Sequence, residues 1–233
     1  MTRLALGKAP EAYDDAFMAK MASEYREQTA WTRLRLDALL PLVEPAEGDR
    51  ILDLGCAAGS LTHFFSEFGA RVTGIDSEPK AIQKARSLFP GLEFKLADVA
   101  ELPEPDHSAD KAVAGDLVEH LDEATFLRML QELRRVLVPN GTLSIYTPNP
   151  RHLIERLKAH NLILAQNPTH IGLRTSARLV ELLEGSGFAV DHAGWTPSFF
   201  PVLRSVERLA GPRLEAFRYR ICIRARSQAR ASS

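Results

Sequence analysis

Residues 51–62, Ile-Leu-Asp-Leu-Gly-Cys-Ala-Ala-Gly-Ser-Leu-Thr, pass from four strand-like positions through a run of very small side chains into the start of a helix. Glycine weakens a regular element because it loses more backbone freedom on folding than any other residue. A chain that must build a core therefore places Gly55, Ala57, Ala58 and Gly59 almost side by side where something comes close to the backbone. In open α/β sheets, ligands bind beyond the carboxyl ends of the strands, and a small-residue loop entering a helix offers them unpaired N–H groups. The next strand-like stretch, Arg71–Asp76, ends in a carboxylate twenty-one residues after Gly55. A carboxylate there can accept hydrogen bonds from both cis hydroxyls of a ribose. The expected ligand therefore contains a ribose. A dinucleotide loop wants glycines at i, i+2 and i+5, where this chain has Gly55, Ala57 and Ser60, and no Gly-Lys-Ser/Thr follows to make a phosphate-binding loop.

Apolar periodicity sets the rest of the fold. Residues 11–43 carry helical spacing, with Pro41 close to the end. The pattern then predicts strands at 51–54, 71–76, 92–98, 111–116 and 142–148. Helices are expected at 59–68, 79–89, 122–138, 151–165 and 176–188, with turns at Pro90-Gly91 and Pro139-Asn140-Gly141. Phe217, Tyr219, Ile221, Ile223 and Ala225 alternate with mostly arginine positions, which marks a final strand with one wetter face. Strands alternating with helices predict a doubly wound, mostly parallel α/β sheet.

The chain has 233 residues, enough for one sizeable core, and is expected to form a single domain. Its net charge of −1 gives no bulk electrostatic case for nucleic acid. Two cysteines, Cys56 and Cys222, exclude a disulfide scaffold and fit a reducing cytoplasm. The N-terminus lacks the apolar stretch of a secretion signal, and no long apolar window predicts a membrane span.

Asp-Leu-Gly-Cys-Ala-Ala-Gly (53–59) resembles the first motif of class I S-adenosylmethionine-dependent methyltransferases, Asp-x-Gly-x-Gly-x-Gly, with Ala57 in place of the middle glycine. The resemblance implies a Rossmann-like, seven-stranded sheet with N-terminal helices and an antiparallel last strand. Residues 1–45 would then be a helical lid, 46–147 the cofactor-binding core, and 148–233 acceptor-side helices and final strands. It also implies S-adenosylmethionine as cofactor, with Asp53, Gly55, Cys56, Ala57 and Gly59 against its methionine end. Asp76 and Ser77 would lie at the ribose, and Asp98 and Val99 at the adenine. The second half is similar to the ubiquinone-pathway O-methyltransferases. Gly115–Leu121 stands where they carry Glu-x-x-Glu-His, with Asp116 for the first Glu, and Asn167–Ile171 stands near their Gly-Thr-His-Asp, with Ile171 for the Asp. Leu34–Asp37 matches a segment whose arginine reaches the cofactor carboxylate, which implies that role for Arg35, and Gly115 falls at a cofactor-contacting position.

Asp116, Glu119 and His120 are spaced i, i+3, i+4 and would share one face of a helical turn, with His170 arriving from a distant loop. Two carboxylates and two imidazoles can bind a divalent ion such as Mg²⁺, Mn²⁺, Fe²⁺ or Zn²⁺. Alternatively, His120 acts as a base or orienting group with Glu119 and His170, or these residues simply cap turns and fill the core. The function expected is methyl transfer to oxygen of a small aromatic, polyketide-like or lipid-linked acceptor in biosynthesis. N- or C-methylation, RNA 2′-O-methylation and a catalytically silent cofactor-binding scaffold remain alternatives. Residues 151–164 are amphipathic and basic, which suits either peripheral membrane contact or a helix packed on the sheet. Tyr13, Phe17, Tyr25 and Trp31 offer an aromatic lid or ordinary packing, and Trp195–Val202 an apolar pocket wall or a loop anchor.

Overall fold

The computed structural model describes residues 29–160 and 167–228. Strands β1 (Arg50–Leu54), β2 (Arg71–Asp76), β3 (Glu93–Leu96), β4 (Ala109–Gly115), β5 (Leu137–Pro148), β6 (Phe188–Thr196) and β7 (Arg220–Ser227) form one sheet in the order β3-β2-β1-β4-β5-β7-β6. The first five pair in parallel, and β7 runs antiparallel to both β5 and β6. The expected α/β architecture and antiparallel last strand are both present. The helices are α1 (Ala30–Val43), α2 (Ser60–Ser66), α3 (Pro79–Leu88), α4 (Glu123–Val136), α5 (Leu153–Ala159), α6 (Ser176–Gly185) and α7 (Pro201–Ala210).

Strand β1 reads as a near-continuous apolar run because it is covered on both faces. Leu52 and Leu54 point into a core with Phe126, Met129, Leu130 and Leu133 of α4 and Leu179 and Leu183 of α6. Ile51 points the other way, into a core with Leu36, Leu39 and Val43 of α1 and Leu61 and Phe65 of α2. Asp53 shares the parity of Ile51, so it faces α2 rather than α4. Helix α4 starts where Asp122 accepts from the backbone N–H of Thr125 at 2.7 Å. Its five core side chains, Val136 included, form one stripe, and full burial of each contributes about 1.5–3 kcal/mol.

Chain order reverses between β1 and β4, whose carboxyl ends therefore flank the crevice where such sheets bind ligands. Helix α4 stops at Val136, two residues earlier than expected, because Leu137 already pairs with Ala109. The Pro139–Gly141 turn lies inside β5, at a register shift where Asn140 has φ 65°. Two elements were not expected from periodicity: β6, and α7, which begins inside the apolar stretch Trp195–Val202. Among the described residues, no helix is long and apolar enough to cross a membrane. The helix expected before residue 29, with Tyr13, Phe17 and Tyr25, lies outside the described residues.

Candidate active site

The small-residue loop leaves β1 with positive φ at Gly55 (66°), Ala57 (47°) and Gly59 (83°). The first and last need glycine. A Cβ at Gly55 would stand 2.8 Å from Leu117, and one at Gly59 would stand 2.7 Å from the ring of Phe94. Gly74 on β2 is notched in the same way, since its Cβ would come within 2.6 Å of that ring. Phe94, projecting from β3, thus occupies space that two glycines leave open. The loop is pinned to β2, with the N–H groups of Gly55 and Cys56 both donating to the carbonyl of Ile75, at 2.8 and 3.0 Å.

Asp76 turns toward this loop. One carboxylate oxygen accepts from Ala57 N–H at 2.9 Å and the other from Glu78 N–H at 2.9 Å. It therefore caps the next turn and ties down the loop at once, and a carboxylate with four lone-pair sites keeps room for a diol. Burial raises its pKa, while the two backbone donors pull it back. Asp98 accepts from Ala100 N–H at 2.8 Å at the end of β3, with Val99 buried beside it and Ser77 exposed after Asp76. Gly115, at the end of β4, is packed against Leu61 and Leu39.

Two buried polar atoms on this side have no hydrogen-bond partner among the described residues, Oδ1 of Asp53 and Nε of Arg35. The other oxygen of Asp53 accepts from the Thr62 hydroxyl at 2.7 Å. Burial lifts the Asp53 carboxyl to about 6, and the Arg35 charge opposes that rise. An orphaned carboxylate oxygen and an orphaned guanidinium N–H fit a ligand carrying both an ammonium and a carboxylate, as the amino-acid end of S-adenosylmethionine does.

Beyond β4 the chain makes a left-handed step at Asp116 (φ 58°) and then a 3-10 turn, Val118–His120. That step corrects the expected metal set. Asp116 is thrown away from Glu119 and His120 and pairs instead with Arg220 at 3.1 Å and Arg35 at 3.8 Å. Glu119, His120 and His170 do come together, each with a ligand atom within 4.8 Å of the others. Glu119 is buried and accepts from the Thr147 hydroxyl at 2.9 Å. Burial, reinforced by the Asp116 charge, lifts its carboxyl to about 8. The His120 and His170 rings meet edge-on at 4.9 Å. Burial, with His120 alongside, lowers His170 to about 4 and also holds His120 below its ordinary value.

The loop carrying His170 is stitched to the 3-10 turn. Gly172 N–H donates to Glu119 O at 2.8 Å, and His120 Nδ1 lies 3.2 Å from Thr169 O. Arg174 reaches underneath. One terminal nitrogen donates to Val118 O and Gly172 O at 2.9 and 2.7 Å, the other to Leu121 O at 2.8 Å, and the guanidinium lies over Phe126. Sequence patterning gave no signal for Arg174. It also misplaced Arg220, which falls on the arginine side of the last strand yet is only 7% exposed. Its guanidinium sits 4.5 Å from the Trp31 ring centroid and 5.1 Å from that of Tyr219. Of the expected aromatic lid, Trp31 thus lies against Arg220, the partner of Asp116.

Strand order, small-residue loop and acidic strand ends define an α/β domain with a crevice at its switch point, and comparison with known proteins narrows the class. Residues 51–141 match the family model described as a methyltransferase domain, so that stretch of the chain is a methyltransferase domain. A probable S-adenosylmethionine-dependent methyltransferase of Mycolicibacterium smegmatis is 32% identical over 166 residues, covering 71% of this chain and 62% of that protein. A trans-aconitate 2-methyltransferase of Methylobacterium nodulans is 34% identical over 155 residues, covering 62% of this chain and 54% of that protein. The chain thus spans less than two thirds of the length of either relative. An S-adenosylmethionine-dependent methyltransferase structure from Mesorhizobium loti superposes with a TM-score of 0.67 at 22% identity, over 85% of this chain and all of the other, which bears on the fold alone.

Proposed function

We propose that the chain transfers a methyl group from S-adenosylmethionine to an oxygen of a small acceptor, with His120 as the base when that oxygen is a hydroxyl. The observation that carries this reading is the contact of His120 Nδ1 with Thr169 O, which sets the tautomer. A carbonyl oxygen only accepts, so the contact with Thr169 O places the proton on Nδ1 and leaves Nε2 with a free lone pair. Burial keeps the ring neutral near pH 7. Bound S-adenosylmethionine supplies an electrophilic methyl on a sulfonium. Gly55, Cys56, Ala57 and Gly59 would hold its methionine end, with Asp53 at the ammonium and Arg35 at the carboxylate. Asp76 and Ser77 would take the ribose, Asp98 and Val99 the adenine, and Gly115 the floor below. His120 Nε2 then receives the acceptor proton, His170 orients the acceptor, and Glu119 fixes the turn through Thr147.

Oxygen as nucleophile is supported by the likeness of Gly115–Leu121 to the ubiquinone-pathway enzymes. It is also supported by the relative named for trans-aconitate, a tricarboxylate. A second reading puts a divalent metal on Glu119, His120 and His170, favoured by the approach of their ligand atoms. Two neutral imidazoles and a carboxylate suit Zn²⁺, Fe²⁺ or Mn²⁺, which would polarise the acceptor oxygen.

Calorimetry with S-adenosylhomocysteine tests the cofactor half, and tritiated-methyl transfer into an extract tests the acceptor half. Heat of binding and a labelled product that His120→Ala lowers about hundredfold or more are expected. Binding with no labelled acceptor would favour a silent scaffold. Activity unchanged after dialysis against EDTA, with no metal by elemental analysis, would remove the metal.

A further inference from the structure

Helix α7 is turned inside out. Val202, Val206 and Leu209, at i, i+4 and i+7, form one apolar stripe, and they are 83%, 43% and 78% exposed. Phe200 just before the helix and Leu214 just after it extend the stripe, both exposed. The side chain that the helix does bury is Glu207, with His152 and Ser198 around it, all at 0% exposure. Ile154 N–H donates to His152 Nδ1 at 3.3 Å, so the ring proton is on Nε2, which donates to Glu207 at 2.9 Å. The other Glu207 oxygen accepts from Ser198 N–H at 2.5 Å. Rotating α7 to hide its apolar stripe would carry this carboxylate out to solvent and leave the buried His152 Nε2–H and Ser198 N–H without an acceptor, a cost that offsets the gain from hiding the stripe. The outward stripe is therefore locked in place.

Charge says what covers it. From Phe200 to Leu214 the sole acid is the buried Glu207, whereas Arg208 and Arg213 are exposed and Arg204 half-buried. The surface of the segment offers cations around an apolar ridge and no anion. A second copy packing through the same face would bring like charges together. An anionic lipid surface supplies negative headgroups and an apolar interior at matching depth. We propose that α7 docks the protein on anionic bilayers, with Phe200, Val202, Val206 and Leu209 entering the headgroup–acyl boundary and Arg208 and Arg213 meeting phosphates. His152, which supplies the clasp, belongs to the amphipathic segment 151–164 and precedes α5, while 161–166 lie outside the described residues. Phe199, next to the ridge, meets Trp31 edge-on at 6.2 Å, so a docked bilayer lies beside the contact of Trp31 with Arg220.

Co-sedimentation with phosphatidylglycerol–phosphatidylcholine vesicles, against phosphatidylcholine alone, tests the proposal without reference to activity. Binding to the anionic vesicles is expected to exceed binding to the neutral ones at least about tenfold and to weaken with salt. The exposed-residue variant V202S/L209S is expected to bind about tenfold or more weakly while keeping the wild-type melting temperature, and R208E/R213E is expected to lose the preference for anionic lipid. Equal binding by wild type and V202S/L209S, or no vesicle binding at all, would overturn the proposal. So would a dimer in sedimentation equilibrium that V202S/L209S dissociates, which would make the ridge an interface between copies.

Discussion

Arg174 is buried, and no carboxylate among the described residues lies in contact with its guanidinium. It makes three hydrogen bonds to the carbonyls of Val118, Leu121 and Gly172, at 2.7 to 2.9 Å. A bond from a charged donor is worth about 1.5–3 kcal/mol net, which three bonds would carry toward the upper end of single-residue effects. Burying an unpaired guanidinium takes back a large part of that, and carbonyls freed in a loosened loop regain water. Arg174→Ala should therefore cost about 3 kcal/mol, a fall of about 6–12 °C in melting temperature for a domain of this size. Arg174→Lys can restore one bond of the three and should recover only part of the loss. The carbonyls belong to the segments carrying Glu119, His120 and His170, so turnover of fully folded protein should drop about tenfold or more in Arg174→Ala. The affinity for S-adenosylhomocysteine should stay within about threefold of wild type, because the Gly55–Gly59 loop, Asp76 and Asp98 make none of these bonds. Differential scanning fluorimetry, calorimetry and turnover measured well below the melting temperature read the three quantities. A melting temperature within about 2 °C of wild type would refute the energetic reasoning, and parallel losses of ligand affinity and turnover would refute the division of labour.

Asp76→Ala removes the acceptor for Ala57 and Glu78 N–H along with the proposed ribose contact. S-adenosylhomocysteine affinity should fall about hundredfold by calorimetry, and a drop of less than about threefold would take Asp76 out of the ligand site. Gly59→Ala drives a Cβ into the Phe94 ring at a φ of 83° and should destabilise by about 2–4 kcal/mol in urea unfolding, with Phe94→Leu added to the same chain restoring part of it. Two contributions to the pH dependence of stability, from Glu119 and His170, oppose each other. Glu119 is raised from 4.5 to about 8, so the native state holds its proton longer, and stability from this group falls as pH rises from 4.5 through 8. His170 is lowered from 6.5 to about 4, so the unfolded state takes up the proton first, and stability falls as pH drops from 6.5 through 4. Above pH 6.5 the Glu119 contribution remains, and Glu119→Gln should flatten the decline in urea midpoints there.

What was legible in the sequence was local. The run from Ile51 to Thr62 combines a buried strand, a turn that only very small residues can make and a helix start within twelve residues, and Asp76 closes the next strand in the same way. What misled was any inference that assumed one regular element. Asp116, Glu119 and His120 share a face only if residue 116 is helical, and its φ of 58° sends the carboxylate to two arginines instead. Helix α7 was not read from the sequence at all, and its apolar stripe faces outward because bonds from His152 and Ser198 hold Glu207 inward. Strand β6 was hidden because three successive residues, Asp191, His192 and Ala193, are exposed at the sheet edge and erase the alternation. Arg174 and Arg220 act on groups brought near only by the finished topology.

Phe94 gives the outermost strand on its side a hold over the small-residue loop. Strand β3 is four residues long and has β2 as its one neighbour in the sheet, yet its ring is keyed between Gly59 and Gly74, which belong to two different elements. Peeling that margin away pulls the key from the lock, so mild denaturant should silence ligand capture while the central strands still stand. The same fit ties three positions into one inheritance: a relative that acquires a side chain at either glycine must carry something slimmer than phenylalanine at 94.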